Sequence, residues 1–466
     1  AGPPTFPSHQ PLASTMPNHH PSLTRSGLRD RLSAREFRFS SAETFGAEVE
    51  LIPWSFAPTD ALANRCRKTA EQSRALWMSL ARQAGLEADA PPREIPWSGG
   101  RLTLEPGGQL EFSGAPQRSL VSTMDQLREV ADHLRRVSLE HGNELLAVGL
   151  HPWASAEEIE LINTAPRYRA MEAYFDRIGP HGRRMMRATA SVQVCIDHGP
   201  EPEVAAERWE LAQRISPLVL ALFANSRVSA GRSTHRSSER AWIWRHLDPA
   251  RAGFPKRFLD DPQSSSVDQY LDFALAAPVM FWVDEQGQYQ TPEHSLTFST
   301  WMEQGLPSLG YPNVQDWDHH LSTLFPNVRP RGYLEVRGID NPGWTWLDWP
   351  ILIVGLALWE PRPRRELLEL LRPRHDALTS WMIRAEEQAL ADPQLLDLTN
   401  VLLDTLREDV PEPLRERFDR FRERVSSAPL LPTGPLAEDS PPSLAGSMRL
   451  DPSERSRESL STERGR

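Results

Sequence analysis

Acidic side chains stand two residues apart in the segment 45–51, where Glu48 and Glu50 alternate with apolar residues. Side chains on a β-strand alternate between its two faces, so the two carboxylates would share one face. Neighbouring carboxylates raise one another's pKa unless a cation lies between them, and Mg²⁺ binds to a few carboxylates together with substrate phosphates. The spacing therefore favours a divalent-cation site that also receives a phosphorylated ligand.

Four other segments show the same alternation of polar and apolar residues. Their polar positions are Thr103 and Glu105 in 101–105, Gln109, Glu111 and Ser113 in 109–113, Arg187, Thr189, Ser191 and Gln193 in 187–196, and Glu335 and Arg337 in 332–337. A solvated sheet face is an equally good interpretation of each segment alone. Solvated faces usually carry Lys and mixed charges, however, whereas these faces contain no Lys. Together they favour a polyphosphate-metal site, in which carboxylates bind the cation and arginines contact phosphate.

Several classes of protein are excluded or disfavoured. The sequence contains no G-x-x-x-x-G-K-[ST], no G-x-G-x-x-G after a strand and no G-x-S-x-G, which excludes a P-loop or ordinary dinucleotide fold and gives nucleophilic covalent catalysis little support. A net charge of -11 offers no positive field for nucleic acid. The longest apolar run, 351–359, is about half of the roughly 20 residues that a membrane-spanning helix needs. Cys66 and Cys195 are too few for a disulfide framework and fit a reducing cytoplasm. Small ligands are therefore expected.

The elements that must position these residues follow from periodicity. Helices are predicted at 60–85, 122–142, 202–225, 267–277, 315–325, 344–359, 364–390 and 393–424, the last divided at Pro411–Pro413. Strands are predicted at 45–51, 101–105, 109–113, 144–150, 187–196, 279–283 and 332–337. The tight turn between Glu105 and Gln109 favours an antiparallel neighbour. The expected class is α+β with a central, mainly antiparallel sheet.

Residues 31–426 are expected to form a single catalytic domain with a helical C-terminal part, since no linker interrupts them. Residues 1–30 are interpreted as a disordered leader, rich in Pro, Ser and His, with Met16 as a candidate natural start. Residues 427–466 are interpreted as a disordered tail, because their Pro, Ser, Arg and Glu content cannot bury enough apolar surface.

Sequence blocks in 43–359 resemble the plant and bacterial type of glutamate-cysteine ligase. The blocks, in matching order and spacing, are 45–50, 104–116, 185–194 and 333–337. Leu-Glu-Pro-Gly-Gly-Gln at 104–109 is the most specific. Segments 166–171 and 247–251 resemble the bacterial branch that supplies γ-glutamylcysteine to ergothioneine synthesis, and the choice between that pathway and glutathione synthesis stays open.

The resemblance implies a glutamine-synthetase-like fold, in which the curved sheet forms a funnel surrounded by helices. It also implies ATP-dependent ligation of the γ-carboxylate of glutamate to cysteine through γ-glutamyl phosphate, with Mg²⁺ as cofactor and Mn²⁺ able to replace it. By position in the motifs, the metal ligands are Glu48, Glu50, Glu105 and Glu335, the nucleotide contacts are Gln193 and the catalytic Arg337, and the substrate contacts are Arg187, Arg240, Arg167 and Tyr168.

Arg240 rests on the short match 238–244, beside a loop that departs from the family pattern. Packing or helix-start roles explain Arg167 and Tyr168 equally well. A ligase that uses another amine and a noncatalytic nucleotide-binding relative remain alternatives. The expected partners are small molecules only, without nucleic acid or membrane, and the chain is expected to be a cytoplasmic monomer or homodimer.

Overall fold

The computed structural model describes residues 23–55, 60–86, 90–307 and 309–427. The α-helices are α1 (Arg25–Arg35), α2 (Leu62–Gln83), α3 (Leu120–Glu140), α4 (Pro166–Ile178), α5 (His181–Ala188), α6 (Pro202–Phe223), α7 (Glu239–Leu247), α8 (Lys256–Asp260), α9 (Ser266–Ala276), α10 (Phe298–Gln304), α11 (Val314–Leu321), α12 (Trp349–Trp359), α13 (Pro361–Leu371), α14 (Leu378–Gln388), α15 (Pro393–Leu406) and α16 (Arg415–Ser427). Short 3₁₀ helices lie at Trp344–Trp346, Arg372–Ala377, Ala389–Ala391, Arg407–Asp409 and Glu412–Leu414. The strands are β1 (Phe45–Ser55), β2 (Glu94–Trp97), β3 (Gly100–Leu104), β4 (Leu110–Gly114), β5 (Asn143–Leu146), β6 (Val192–Ile196), β7 (Val228–Ser229), β8 (Arg232–Ser233), β9 (Ala252–Gly253), β10 (Trp282–Val283), β11 (Tyr289–Gln290), β12 (Phe325–Pro326), β13 (Val328–Pro330) and β14 (Leu334–Val336).

One large sheet organises the molecule, with strand order β13-β14-β6-β1-β4-β3-β2 and with β5 paired to the end of β1. Every pairing in this sheet is antiparallel. The predicted α+β class with a mainly antiparallel sheet is therefore confirmed. The long central strand β1 contacts β4 on one side and β6 on the other, so its side chains occupy the middle of both sheet faces.

The apolar face of the sheet packs on helices and forms the main core. Val49 of β1, Phe112 of β4 and Val194 of β6 are fully buried there. Helix α12 lies against this face, and all its residues from Trp349 to Leu358 are buried, as its continuous apolar run predicts. No helix in the described part of the chain is both long and apolar enough to cross a membrane.

The C-terminal helices follow proline positions closely. The predicted division at Pro411–Pro413 is confirmed by the 3₁₀ turn Glu412–Leu414 between α15 and α16. The predicted helix 364–390 is instead two helices joined by the turn Arg372–Ala377. Pro373 lacks the amide that a continuous helix would need there, which explains the interruption.

Two predictions were wrong in part. Residues 1–22 lie outside the described residues, but 25–30 of the expected leader belong to helix α1, because Leu28 and Leu32 are buried against the core. The strand predicted at 187–196 begins only at Val192, since helix α5 extends to Ala188. Buried Gly182, Met185 and Met186 have the i, i+3, i+4 spacing of a helix, which competes with the alternation further along.

Some predicted strands are shorter in the structure. The predictions at 144–150 and 279–283 reduce to Asn143–Leu146 and Trp282–Val283. The tail predicted from 427 onward lies outside the described residues, apart from Ser427 at the end of α16.

Candidate active site

A cavity of about 450 Å³ opens on the polar face of the sheet. Eight of the ten residues predicted for the site line it, namely Glu48, Glu50, Glu105, Gln193, Arg337, Arg240, Arg167 and Tyr168. Arg187 and Glu335 are absent from its lining.

Sheet register places carboxylates from β1 and β4 side by side. Glu50 lies directly opposite Glu111, and Glu48 lies between Ser113 on β4 and Gln193 on β6. Residues opposite one another in an antiparallel pair have neighbouring side chains on the same face. The shared polar face predicted from alternation in β1 and β4 therefore exists.

Glu105 reaches this face from the turn between β3 and β4. Its backbone N–H donates to the Gln109 carbonyl at 2.9 Å, and its carbonyl accepts from Gly108 at 2.9 Å. A Cβ atom on Gly107 would lie 2.1 Å from the Arg187 carbonyl oxygen, and Gly108 has a φ of 89°. The two glycines are thus required by a close backbone approach and by a left-handed conformation, and the turn that they form presents Glu105 to the cavity.

The carboxylates of Glu48, Glu50, Glu105 and Glu111 form an acidic cluster. Burial, followed by the charges of Glu111 and Glu335, raises the pKa of Glu48 to about 8. Burial, followed by the charges of Glu111 and Glu50, raises the pKa of Glu105 well above its usual range. The pKa of Glu111 is also raised, first by burial and then by Glu50. Oxygen-rich donors that cannot all carry charge without compensation suit a hard divalent cation.

Glu111 was not assigned a ligand role from the sequence, although the alternation of 109–113 had placed it on the polar face. Glu48 is buried and accepts no hydrogen bond from any residue in the described part of the chain. Its carboxylate is therefore available to a ligand.

Glu335 occupies a different environment from the one expected of a metal ligand. It is fully buried, and its Oε2 accepts hydrogen bonds from Arg329 Nε at 2.7 Å and from Arg337 Nη1 at 2.8 Å. Arg331 approaches the other oxygen at 3.4 Å. Burial alone would raise the pKa of Glu335, but the three guanidinium groups outweigh burial and lower it.

Three arginines are thus gathered at the cavity wall around one carboxylate. Arg337 also donates to Gln193 Oε1 at 2.7 Å. The sequence did not indicate Arg329 or Arg331, although β13 places Arg329 directly opposite Glu335. Ligand atoms of Glu48, Cys195 and Glu335 lie within 4.8 Å of one another, so this trio could hold an ion only if the arginines released Glu335.

Arg187 does not point into the cavity as the strand prediction required. It lies in α5, where its Nε donates to Glu172 at 3.0 Å and its Nη1 donates to the Ile159 carbonyl at 2.9 Å. The Arg187 guanidinium therefore hydrogen-bonds to α4 and to the loop before it. It does not line the cavity with the other predicted site residues.

Arg240 approaches the cavity from the first turn of α7. Its side chain is buried, its Nη2 donates to the Arg337 carbonyl at 3.2 Å, and its Nη1 lies 3.7 Å from Asp340 Oδ1. The Nε–H of Arg240 and the indole N–H of Trp244 are both buried and have no hydrogen-bond partner among the described residues. Two such donors at a cavity wall suit a ligand that offers oxygen acceptors.

Arg167 and Tyr168 form another part of the wall, at the start of α4. Arg167 donates to the Ser322 hydroxyl at 3.0 Å and to its carbonyl at 2.9 Å, and lies over the Phe281 ring. Tyr168 lines the same cavity as the acidic cluster, and the Glu105 charge, together with burial, raises the pKa of its phenol.

The model of glutamate-cysteine ligase family 2 (GCS2) matches residues 44–399 of this chain. The chain belongs to that family. The chloroplastic glutamate-cysteine ligase of Medicago truncatula is 31% identical over 318 residues, which cover 68% of this chain and 60% of the plant protein. The glutamate-cysteine ligase EgtA of Mycolicibacterium smegmatis is 34% identical over 336 residues, covering 71% of this chain and 75% of EgtA.

The chain spans roughly half to three fifths of the length of the chloroplastic relatives. Among solved structures, a glutamate-cysteine ligase from Francisella tularensis in complex with AMP aligns over 86% of this chain and 85% of its own, with 12% identity and a TM-score of 0.46. A likeness this remote assigns no role to individual residues.

In this member of glutamate-cysteine ligase family 2, two opposite charge environments share one cavity. The acidic cluster suits a divalent cation, and Arg329, Arg331 and Arg337 suit phosphate oxygens. Both groups line the cavity that also contains the unpartnered donors of Arg240 and Trp244. The arrangement can therefore bring a metal-bound polyphosphate close to an acidic small molecule.

Proposed function

We propose that this family member joins the γ-carboxylate of glutamate to the amine of cysteine, while ATP is cleaved to ADP and phosphate. The observation that carries the proposal is the placement of the acidic cluster and the arginines in one cavity of about 450 Å³. Electrostatic stabilisation of charge at transferring phosphoryl groups needs both kinds of group in fixed positions.

Glu48, Glu50 and Glu105 would hold the cation, and Glu111 joins them because it faces Glu50 directly. Magnesium is the proposed ion and Mn²⁺ is able to replace it, since both favour oxygen donors. When bound, the ion neutralises phosphate oxygens and aligns the terminal phosphate for transfer. Burial and neighbouring carboxylates raise the pKa values of Glu48, Glu105 and Glu111, so a counter-charge in the cavity would stabilise their ionised forms.

Arg337 would bind oxygens of the transferring phosphate and stabilise the charge that builds up there. Its guanidinium is fixed by Glu335 and by Gln193, so little reorganisation is needed during transfer. Attack by a γ-carboxylate oxygen on the terminal phosphorus releases ADP and gives γ-glutamyl phosphate. The cysteine amine then displaces phosphate at the acyl carbon.

Arg240 would bind the α-carboxylate of glutamate. Its planar fork can donate parallel hydrogen bonds to a carboxylate, and its Nε–H is a donor that no described residue of the chain uses. Arg167 and Tyr168 would line the same amino-acid pocket. Arg187 has no part in this proposal because its guanidinium is bound to Glu172.

Isotope transfer tests the reaction directly. Purified protein is incubated with Mg²⁺, ATP, cysteine and glutamate labelled with ¹⁸O in its γ-carboxylate, and products are measured by mass spectrometry. Expected results are γ-glutamylcysteine, one ADP per product and one ¹⁸O atom in the released phosphate. Product without label in phosphate would contradict the acyl-phosphate route, and absence of both products would contradict the proposed activity.

A panel of amines and a binding measurement separate the two alternatives. Rapid ADP release with an amine that lacks a thiol, and little with cysteine, would indicate a ligase of the same chemistry with another substrate. Tight binding of Mg²⁺-ATP, without ADP release when glutamate is combined with any amine of the panel, would indicate a noncatalytic relative.

We also propose a pathway, a location, partners and an oligomeric state for this chain. The product would enter thiol synthesis leading to glutathione or to ergothioneine, in the cytoplasm. The proposed partners are small molecules alone, and the chain would act as a monomer or homodimer.

A further inference from the structure

Asp340 is a fully buried carboxylate beside the cavity, yet it does not line the cavity. Its Oδ2 accepts hydrogen bonds from the Ser226 hydroxyl at 2.6 Å and from the Asn225 backbone N–H at 2.9 Å. Its Oδ1 accepts from the Ser238 hydroxyl at 3.0 Å. Three hydrogen-bond donors thus hold the buried Asp340 carboxylate in one position.

The same groups determine the position of Arg240. Ser226 accepts a hydrogen bond from the Arg240 backbone N–H at 3.0 Å, and Ser238 caps α7 by accepting from the Ala241 N–H at 3.1 Å. The Arg240 guanidinium lies 3.7 Å from Asp340 Oδ1. Asp340 thus contacts the charged end of Arg240 directly. It also reaches the backbone N–H of Arg240 through the Ser226 hydroxyl and that of Ala241 through the Ser238 hydroxyl.

The network is also tied to the strand that carries the acidic cluster. Asn341 donates to the Glu50 carbonyl at 2.7 Å, and the Asn225 amide donates to the Asn341 carbonyl at 2.8 Å. A Cβ atom on Gly149 would lie 2.7 Å from Asp340 Cγ, so glycine there leaves room for the carboxylate.

Two carboxylates attract the Arg240 guanidinium, first Asp340 and then Glu50, which lines the cavity. Removing Asp340 would leave the attraction of Glu50. The guanidinium would then turn toward the acidic cluster and neutralise part of it.

We propose that Asp340 is a positioning residue that holds Arg240 in place for the carboxylate of the amino-acid substrate. This inference rests on the proposed function, because it takes Arg240 as the group that binds glutamate. Asp340 itself touches no substrate and acts only through Arg240.

The test measures KM for glutamate and for ATP in the full chain carrying Asp340→Asn or Asp340→Ala. Misplacement of a substrate-binding group by about 1 Å can cost a factor of about 100, so we expect KM for glutamate to rise about 10- to 100-fold. KM for ATP should change less than about threefold, because Arg337 and its partner Glu335 remain. Circular dichroism and thermal unfolding establish that each variant is folded.

Gly149→Ala supplies a second route to the same effect if the Asp340 variants do not fold. It keeps the carboxylate but pushes it away from its partners, and should raise KM for glutamate without altering any charge. Gly179→Ala is the matched control, since a Cβ there meets nothing within 4 Å.

A double variant distinguishes positioning from general structural damage. If Asp340 acts through Arg240, then Asp340→Asn adds little to the loss already caused by Arg240→Met. Independent, multiplying losses would overturn the inference, as would an unchanged KM for glutamate in an active Asp340→Asn enzyme. An unmodified chain that neither binds nor uses glutamate would overturn the proposed function and this inference with it.

Discussion

Replacing Glu335 by Gln should destabilise the protein as well as impair catalysis. The change keeps the shape of the side chain but removes the charge that Arg329 and Arg337 contact at 2.7 and 2.8 Å. Both arginine side chains are largely buried, with exposures of 11% and 14%, so neither can turn fully into water. The Arg331 side chain is 47% exposed and can turn into water, so its 3.4 Å contact with Glu335 contributes little to the free energy of unfolding.

Breaking a buried ion pair by removing one partner typically costs about 3–5 kcal/mol. Glu48 lies close enough to take over part of the interaction with Arg337, so the lower end, about 3 kcal/mol, is expected. An unfolding entropy of about 2 cal/mol/K per residue makes this a fall of about 3 °C in Tm. This outcome differs from that of a simple metal ligand, whose removal would leave the fold intact.

Urea unfolding followed by tryptophan fluorescence at pH 7.5, without ligands, measures the loss. Glu94→Gln is the matched control, because that carboxylate is 64% exposed and its substitution should change the free energy of unfolding by less than about 0.5 kcal/mol. Glu335→Gln with the stability of the unmodified chain would refute the reasoning, and would return Glu335 to the set of free cation ligands.

Three further substitutions have definite expected outcomes. Glu111→Gln should weaken Mn²⁺ binding, measured by electron paramagnetic resonance, by about tenfold or more. Glu94→Gln is the control, and a Glu111→Gln variant that binds Mn²⁺ as tightly as this control would exclude Glu111 from the cation site. Burial lowers the pKa of His320 to about 3. Below pH 6.5 the unfolded chain therefore binds a proton at His320 that the folded chain does not, and the free energy of unfolding falls as the pH falls. Between pH 7.5 and 5.5, urea unfolding should therefore show His320→Gln gaining about 1.4 kcal/mol relative to the unmodified chain, and a constant difference would argue against a neutral buried imidazole. Gly107→Ala should lower both ligase activity and the free energy of unfolding, the latter by about 2 kcal/mol, because its Cβ meets the Arg187 carbonyl at 2.1 Å. Full activity in that variant would show that the turn does not determine the position of Glu105.

The alternation of side chains allowed much of the site to be predicted before the structure was known. It placed Glu48 and Glu50 on one face because β1 is a regular strand whose other face is buried. The glycine-rich turn likewise predicted an antiparallel neighbour, and β3 and β4 are such a pair. Alternation of polar and apolar residues involves only neighbouring positions, so it can be recognised without knowledge of the tertiary fold.

What the sequence did not reveal depends on contacts between distant segments. The arginines around Glu335 are brought there by the β13–β14 pairing and by the register beside β6. Arg187 was misplaced because a helix and a strand meet within five residues, and the polar alternation continued across the boundary. The start of helix α1 was missed because the Pro, Ser and His content that indicated a leader was extended to residue 30. Burial of Leu28, and the pairing of Arg31 and Arg35 with Asp318 at 2.6 and 2.8 Å, depend on contacts with distant segments.

Anomalous diffraction from crystals grown with Mn²⁺ and a nonhydrolysable ATP analogue tests the central claim most directly. We predict manganese peaks about 2 Å from carboxylate oxygens of Glu48, Glu50 or Glu105, with the terminal phosphate against Arg337. Manganese and phosphates bound elsewhere, with these carboxylates uncoordinated, would contradict the account.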